Sequence, residues 1–289
     1  MTPPKERICM MSDEKTGGIT LNLNAVPSCI DEPAKALLNP SAKELGGFFG
    51  DLLNMITGKV HFSAEKRRIQ QEHDLKAFRD GLSRKLEEKP AEHLVEPRLQ
   101  VVGPAIESAK FCLEEPQISQ MFQNLLANAA DERYQSKLHP SFPAIIAQLS
   151  PLDAENFSLF QSKSQYPLVE YRYIFFNKTY TVVQSNVFAA NPRMKTYDDS
   201  LLQSASLSSL ERQCLVEISY DSYIPDEECY KVFDDMKLLL EMKKRIAVAP
   251  AGGFQHPEDD NKIVDAVASK GLVELTPLGK SFLMVCFSV

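Results

Sequence analysis

His139 is the side chain in this sequence whose type and setting best suit acid-base chemistry. It follows the charged run Asp131-Glu132-Arg133 in a polar stretch that predicts a loop. An imidazole has an unperturbed pKa of about 6.5, so near neutral pH it can both accept and release a proton. The same setting also fits a histidine that only fixes its turn through a local hydrogen bond, which is the interpretation we favour.

Other polar residues have spacings that argue for structural roles. Asn124 and Asn128 lie on one face of a predicted helix, where their amides could bind a ligand or, as we favour, a neighbouring helix. Asp153 and Glu155 point to different sides of a helix, so they do not form a catalytic carboxylate pair. Asp153 instead stands where a capping carboxylate is expected.

The cysteines give no sign of a metal site or a disulfide framework. None belongs to a C-x-x-C pair, and no His-x-x-x-His stands nearby, so we expect reduced thiols and no metal or other cofactor. Cys112 and Cys286 have apolar neighbours, which raise the pKa of a thiol and make it a poor nucleophile. The six cysteines are Cys9, Cys29, Cys112, Cys214, Cys229 and Cys286.

Composition limits the class of protein. The 289 residues are 44% hydrophobic and 25% charged, an ordinary globular balance, and no apolar run approaches the roughly 20 residues of a membrane helix. The N-terminus resembles no signal peptide, so we expect a cytoplasmic protein without a membrane span. A net charge of −7 argues against bulk nucleic-acid binding. The basic cluster Lys243-Lys244-Arg245 leaves a local contact with DNA possible, although acidic residues lie close to it.

The first half of the chain predicts a helical domain. We expect a mobile segment over residues 1–38 and a helical bundle over residues 39–163. The helix from about Ser41 to Ile56 has a wide apolar face, which favours core packing over contact with lipid. A second helix is expected over Phe62–Glu88. Further helix starts are predicted at Pro104, at Pro116, at Ser141 with Pro143, and at the capping box of Ser150 and Asp153.

The second half predicts a winged-helix-like α+β domain over residues 164–289, so the fold class is α+β and mainly helical. Two strands should meet near Asn177-Lys178, followed by a loop over 191–206. A capping box of Ser208 and Glu211 and a helix over Asp226–Lys244 come next. The tail predicts a helix up to Gly271, a short strand Leu272–Leu275, and a last helix capped by Thr276.

Several segments together resemble the Abi-alpha family of bacterial abortive-infection proteins. They are the AKELG of Ala42 to Gly46, the proline-glycine step, the LLANA helix, the HPSF element and the LSPLDA cap, with a closing threonine, glycine and cysteine. The resemblance runs from about Asn39 to the end and is strongest over 96–154. The positions that carry it are Gly103, Pro104, Leu125, Leu126, Asn128, His139, Pro140, Phe142, Leu149, Ser150, Asp153 and Gly279.

The resemblance implies a bacterial cytosolic protein linked to phage defence, from a family whose molecular activity is unknown. It supplies no catalytic residue. Our leading hypothesis is a binding or sensing module that recognises a protein partner or a phage component, with homo-oligomerisation left open. One alternative is an effector hydrolase or nuclease that uses His139, and another is a DNA-binding regulator that uses the C-terminal unit.

Overall fold

The computed structural model describes residues 40–57, 65–192, 197–248 and 262–287. The predicted mobile segment, residues 1–38, lies outside them. The architecture is mixed α+β, as predicted. The helices are α1 (Ala42–Thr57), α2 (Glu65–Glu87), α3 (Leu99–Ala109), α4 (Pro116–Ala129), α5 (Phe142–Gln148), α6 (Pro151–Ser158), α7 (Tyr197–Arg212), α8 (Lys231–Asp234), α9 (Lys237–Val248) and α10 (Pro277–Cys286). Short 3₁₀ helices cover Ala91–His93, Glu132–Tyr134, Leu159–Gln161 and Glu227–Tyr230.

Four strands form one antiparallel sheet in the order β2–β1–β4–β3. They are β1 (Gln165–Phe175), β2 (Tyr180–Val187), β3 (Val216–Ser219) and β4 (Ile263–Leu275). The predicted β1–β2 hairpin is confirmed, and Lys178 in its turn has a φ of 65°. β4 pairs with β1 along its length, from Gln165 opposite Glu274 to Phe175 opposite Ile263.

Three predicted helix starts are confirmed by their hydrogen bonds. At α1, Ser41 N–H donates to Glu44 Oε2 at 2.7 Å and Glu44 N–H donates to Ser41 Oγ at 3.2 Å. The same reciprocal pair joins Ser150 and Asp153 at α6. At α10, Thr276 Oγ1 accepts the N–H of Gly279 at 2.9 Å. These polar residues satisfy N–H groups that have no partner inside a helix.

The main hydrophobic core lies between the helices and one face of the sheet. It includes Leu45 and Phe49, so the apolar face of α1 packs in the core, as predicted, over the residues whose side chains are described. Near its centre, Phe282 of α10 packs edge-to-face against Phe142 at 5.1 Å and Phe157 at 5.7 Å between ring centroids. Because α10 lies among helices from the first half, residues from both sides of the predicted boundary at 163/164 share this core. The boundary itself stays a prediction.

A second, smaller core covers the other side of β1. Val169 and Tyr171 pack there against Phe233, Leu239 and Met242 from the segment around α8 and α9. The continuous helix predicted over Asp226–Lys244 is therefore divided into a 3₁₀ turn, α8 and α9. The chain bends between them so that side chains from each piece reach the same face of the strand.

The prediction that Pro104 begins a helix was wrong. α3 begins at Leu99 and contains Pro104 in its interior. A proline removes one backbone hydrogen bond, here in the second turn of the helix. Burial of Val101, Val102 and Ile106 stabilises the longer helix in spite of that loss.

Two predictions for the second half were also wrong. Much of the loop expected over 191–206 is α7, and Ser208, predicted to cap a helix, lies inside α7 with its Oγ donating to Ser204 O at 2.9 Å. α7 buries Gln203 and Ser206, a polar face that hydrophobic periodicity does not detect. The helix expected before Gly271 is the first part of β4, because pairing with β1 outweighs local helix preference.

Candidate functional site

His139 lies in the turn before α5 and is exposed. Its Nδ1 is 2.7 Å from Ser141 Oγ, and the backbone N–H of Ser141 donates to the same nitrogen at 3.2 Å. Ser141 occupies the N-cap position of α5, but its hydroxyl contacts His139 and not the helix backbone. No carboxylate or thiol of the described residues is hydrogen bonded to His139. These contacts fix the local turn, and a catalytic role for His139 stays a prediction.

Side-chain amides hold the C-terminal end of α10. Asn124 Nδ2 donates to Cys286 O at 2.8 Å, and Asn128 Nδ2 donates to Val285 O at 2.7 Å. Gln161 Nε2 donates to the carbonyl of Phe287 at 3.0 Å. The last carbonyls of a helix have no partner within it, so these three amides satisfy groups that would otherwise be exposed or unpaired. The asparagine pair thus makes the contacts to a neighbouring helix that its spacing favoured.

Asn128 also contacts a buried ion cluster. Lys89 Nζ donates to Asn128 Oδ1 at 2.5 Å and lies 3.3 Å from Asp131 Oδ2 and 4.7 Å from the centre of the Tyr134 ring. Arg133 binds the same carboxylate through Nε to Oδ1 at 2.9 Å and Nη2 to Oδ2 at 2.6 Å. The backbone N–H of Arg133 donates to Asp131 Oδ1 at 3.0 Å.

The Asp131 carboxylate is fully buried and charged. Burial alone would raise its pKa, but the hydrogen bonds from Arg133 and the charges of Lys89 and Arg133 together lower the pKa below its usual value. A guanidinium has five N–H donors, and Arg133 uses two of them on Asp131. Its side chain is 44% exposed, so the remaining donors are held in a fixed orientation within reach of solvent.

Arg133 lines a cleft of about 250 Å³ between the end of α2 and α4. A second cleft of about 320 Å³ adjoins it, and both are lined by Lys85 and Glu88. Within the described part of the chain, the Lys85 ammonium has no ion-pair partner. We call the two clefts the cationic groove. Its charged and amide lining comprises Arg84, Lys85, Glu88, Lys89, Gln120, Gln123, Asn124, Asn128 and Arg133.

The remaining residues of the resemblance have structural surroundings. Leu125, Leu126, Phe142 and Leu149 are buried in the main core. A Cβ added to Gly279 would lie 1.9 Å from the carbonyl oxygen of Leu215, so this position of α10 touches backbone, whereas a Cβ on Gly103 would meet nothing within 4 Å. Besides His139, the exposed residues of this set are Pro104, Pro140 and Ser150.

The cysteine thiols have the low reactivity that their apolar neighbours predicted. Burial raises the pKa of the Cys112 thiol, with the nearby Glu115 adding to the effect, and raises that of Cys286 well above its usual value. Neither thiol is therefore an activated nucleophile.

No group of three potential ligands in the described ranges could hold a metal ion. Lys243, Lys244 and Arg245 are exposed on α9. None of the helices among the described residues has the length and hydrophobicity needed to cross a bilayer.

The cationic groove was not predicted from the sequence. Lys85 and Lys89 belong to a run of mixed charge that is typical of a solvated helix surface. Their spacing of four places them on one side of the helix end, and that is the signal that could have indicated a shared site. Arg133 stood out only as a neighbour of His139, and nothing local connects it to Lys89.

Comparisons with known proteins agree with the resemblance. No curated protein and no solved structure matches the chain significantly. The family model described as abortive infection alpha matches residues 70–286. This range includes the cationic groove and α10, but the AKELG segment at Ala42 to Gly46 lies outside it. Because the match covers most of the 289 residues, the chain belongs to the abortive infection alpha family.

Proposed function

We propose that the chain is a ligand-binding protein of abortive infection that works in the bacterial cytosol and binds its ligand in the cationic groove. Membership of the family supports the link to abortive infection and so to phage defence. The binding role is our own inference from the geometry of the groove, and it assigns no chemical reaction to the chain.

The arrangement of Arg133 carries this proposal. Its guanidinium is held by the buried Asp131 carboxylate, and three further N–H donors on this partly exposed side chain make no hydrogen bond to the described residues. A donor group that is already oriented loses little conformational freedom when a ligand binds. Lys85, whose ammonium has no ion-pair partner among the described residues, adds a second positive charge beside it. Such a pair suits recognition of an anionic group better than catalysis.

A DNA-binding regulator with a winged-helix-like C-terminal unit is the second candidate. The exposed cluster Lys243-Lys244-Arg245 on α9 favours it, because three neighbouring cations can contact phosphates. β4 occupies the position where that interpretation placed a helix, so the groove remains the better supported site.

The test is a phage-challenge plating assay with two charge-reversal variants expressed in a bacterial host. Lys85→Glu should abolish protection because it places a negative charge in the groove, while Lys244→Glu makes the same charge change on α9 and should leave protection intact. Loss of protection with Lys244→Glu alone would favour the regulator. A wild-type chain that restricts no phage in a broad panel would contradict a defence role in that host.

A further inference from the structure

We infer that the ligand of the cationic groove is a phosphate monoester with a polar body, of about the size of a nucleotide. This inference rests on the proposed function of the groove and adds the chemical class of the ligand. The charges of the groove, the lining of its second cleft and the surroundings of Tyr134 each support one part of it.

The charges of the groove match a dianion. Arg84, Lys85, Lys89 and Arg133 supply four positive charges, while Glu88 and the buried Asp131 supply two negative ones. The two remaining positive charges suit a phosphate monoester, which carries about −1.5 to −2 near pH 7. A carboxylate ligand would neutralise only one of them. The unused N–H donors of Arg133 also suit the several oxygens of a phosphate.

Acidic residues flank the positive charge of the groove, which argues against a long polyanion. Two carboxylates stand at its Arg133 side: Glu132 Oε1 lies 2.8 Å from His93 Nδ1, and the charge of Glu92 helps to raise the pKa of Arg133. The chain as a whole has a net charge of −7. The phosphates of an extended nucleic acid would lie close to these carboxylates and be repelled by them. A single phosphate group bound in the groove would not.

The second cleft is lined by neutral amides that suit a polar body attached to the phosphate. Gln120 and Gln123 offer both hydrogen-bond donors and acceptors, as hydroxyl groups and base edges require. Gly81 makes room for one of them, because a Cβ there would lie 2.4 Å from Gln123 Oε1. The absence of a side chain at Gly81 therefore sets the position of the Gln123 amide.

Tyr134 does not offer a stacking surface for a base. Lys89 Nζ lies 4.7 Å from its ring centre and Lys137 Nζ lies 5.5 Å from it. Ammonium groups at these distances compete with a base for the surface of the ring. We therefore expect recognition through the phosphate and the polar groups of the ligand, with little discrimination between purine and pyrimidine.

Calorimetric titration of the full chain tests the inference with five probes: a purine and a pyrimidine nucleoside 5′-monophosphate, a matching nucleoside, inorganic phosphate, and a single-stranded oligonucleotide without a terminal phosphate. The monophosphate should bind best, the nucleoside at least about tenfold more weakly, and the purine and pyrimidine monophosphates alike. Lys85→Glu should lower the affinity for the monophosphate by at least about tenfold, and Lys244→Glu should leave that affinity unchanged. Gly81→Ala, which displaces the Gln123 amide, should weaken the monophosphate but not inorganic phosphate.

The inference is wrong if the nucleoside binds as well as its monophosphate, if the oligonucleotide binds more tightly than either, or if no monophosphate binds at about 1 mM. These failures are distinguishable from failure of the proposed function. If Lys85→Glu abolishes phage protection while no monophosphate binds, the groove is needed for defence but its ligand belongs to another class. Circular dichroism of each variant verifies that it is folded.

Discussion

Asn128 of α4 donates its amide N–H to the carbonyl of Val285 in α10, at 2.7 Å and across 157 residues of sequence. The oxygen of the same amide accepts a hydrogen bond from Lys89 at the wall of the cationic groove. One side chain therefore joins three parts of the structure, which are the end of α2, the groove and α10. The groove and the C-terminal helix therefore share one side chain, through two different hydrogen bonds.

The double role of Asn128 predicts that its loss destabilises the protein more than loss of a single amide contact. Asn128→Ala removes the partners of a buried carbonyl and of Lys89, so we expect a loss of about 2–3 kcal/mol in the free energy of unfolding. Gln161→Ala is the matched control, because it removes one exposed amide bond to Phe287 and should cost less than about 1 kcal/mol. Urea unfolding measures both. Equal losses of unfolding free energy in the two variants would show that the two bonds of Asn128 stabilise the protein no more than the single bond of Gln161.

Replacing Gly279 and Gly103 by alanine should change the stability of the protein in opposite directions. In Gly279→Ala the new methyl group would lie 1.9 Å from the backbone oxygen of Leu215, so α10 must shift, at a cost of about 3 kcal/mol or more. In Gly103→Ala the methyl group meets nothing within 4 Å inside α3, and the higher helix propensity of alanine should stabilise the protein by up to about 1 kcal/mol. The free energies of unfolding measure the pair, and changes of the same sign would contradict the packing of α10 against Leu215.

The Asp131 cluster predicts a loss of stability in acid. The pKa of Asp131 is lower in the folded protein than its ordinary 3.8, so its contribution is complete above that pH and is lost as the pH falls through the folded pKa. Asp131→Asn lacks this titration. At neutral pH we expect it to be less stable than wild type by about 2 kcal/mol, and the difference should narrow below pH 3.8. Urea unfolding across this range tests the prediction, and a difference that stays constant with pH would contradict it.

Local signals predicted most of the helices, and long-range pairing explains the failures. Capping boxes at Ser41 and Ser150 identified the first turns because they depend on residues three positions apart. The start of β4 was missed because its strand conformation depends on β1, roughly a hundred residues earlier. α7 was missed for a different reason. Leu207 and Leu210 near its end are buried, but its first turns bury polar side chains such as Ser200 and Gln203, so the apolar period that indicates a helix is missing there.

The sequence predicted less of the candidate site than of the fold. The turn at His139 was predicted with its local hydrogen bond, since Ser141 is only two residues away. The groove depends on contacts between Lys89 and the segment from Asn128 to Arg133, which no local pattern relates. The family resemblance included Asn128 but gave no reason for its importance. Its contact with Val285 supplies one.

The most direct test of a binding function compares Lys85→Glu with His139→Ala in one phage-challenge assay, by efficiency of plating on a phage that the wild-type chain restricts. Lys85 has no structural partner among the described residues, and His139 is exposed, so both variants should fold. A groove that binds a ligand predicts that His139→Ala protects as fully as wild type and that Lys85→Glu protects no better than an empty vector. Protection lost with His139→Ala and retained with Lys85→Glu would contradict the account and favour chemistry at His139.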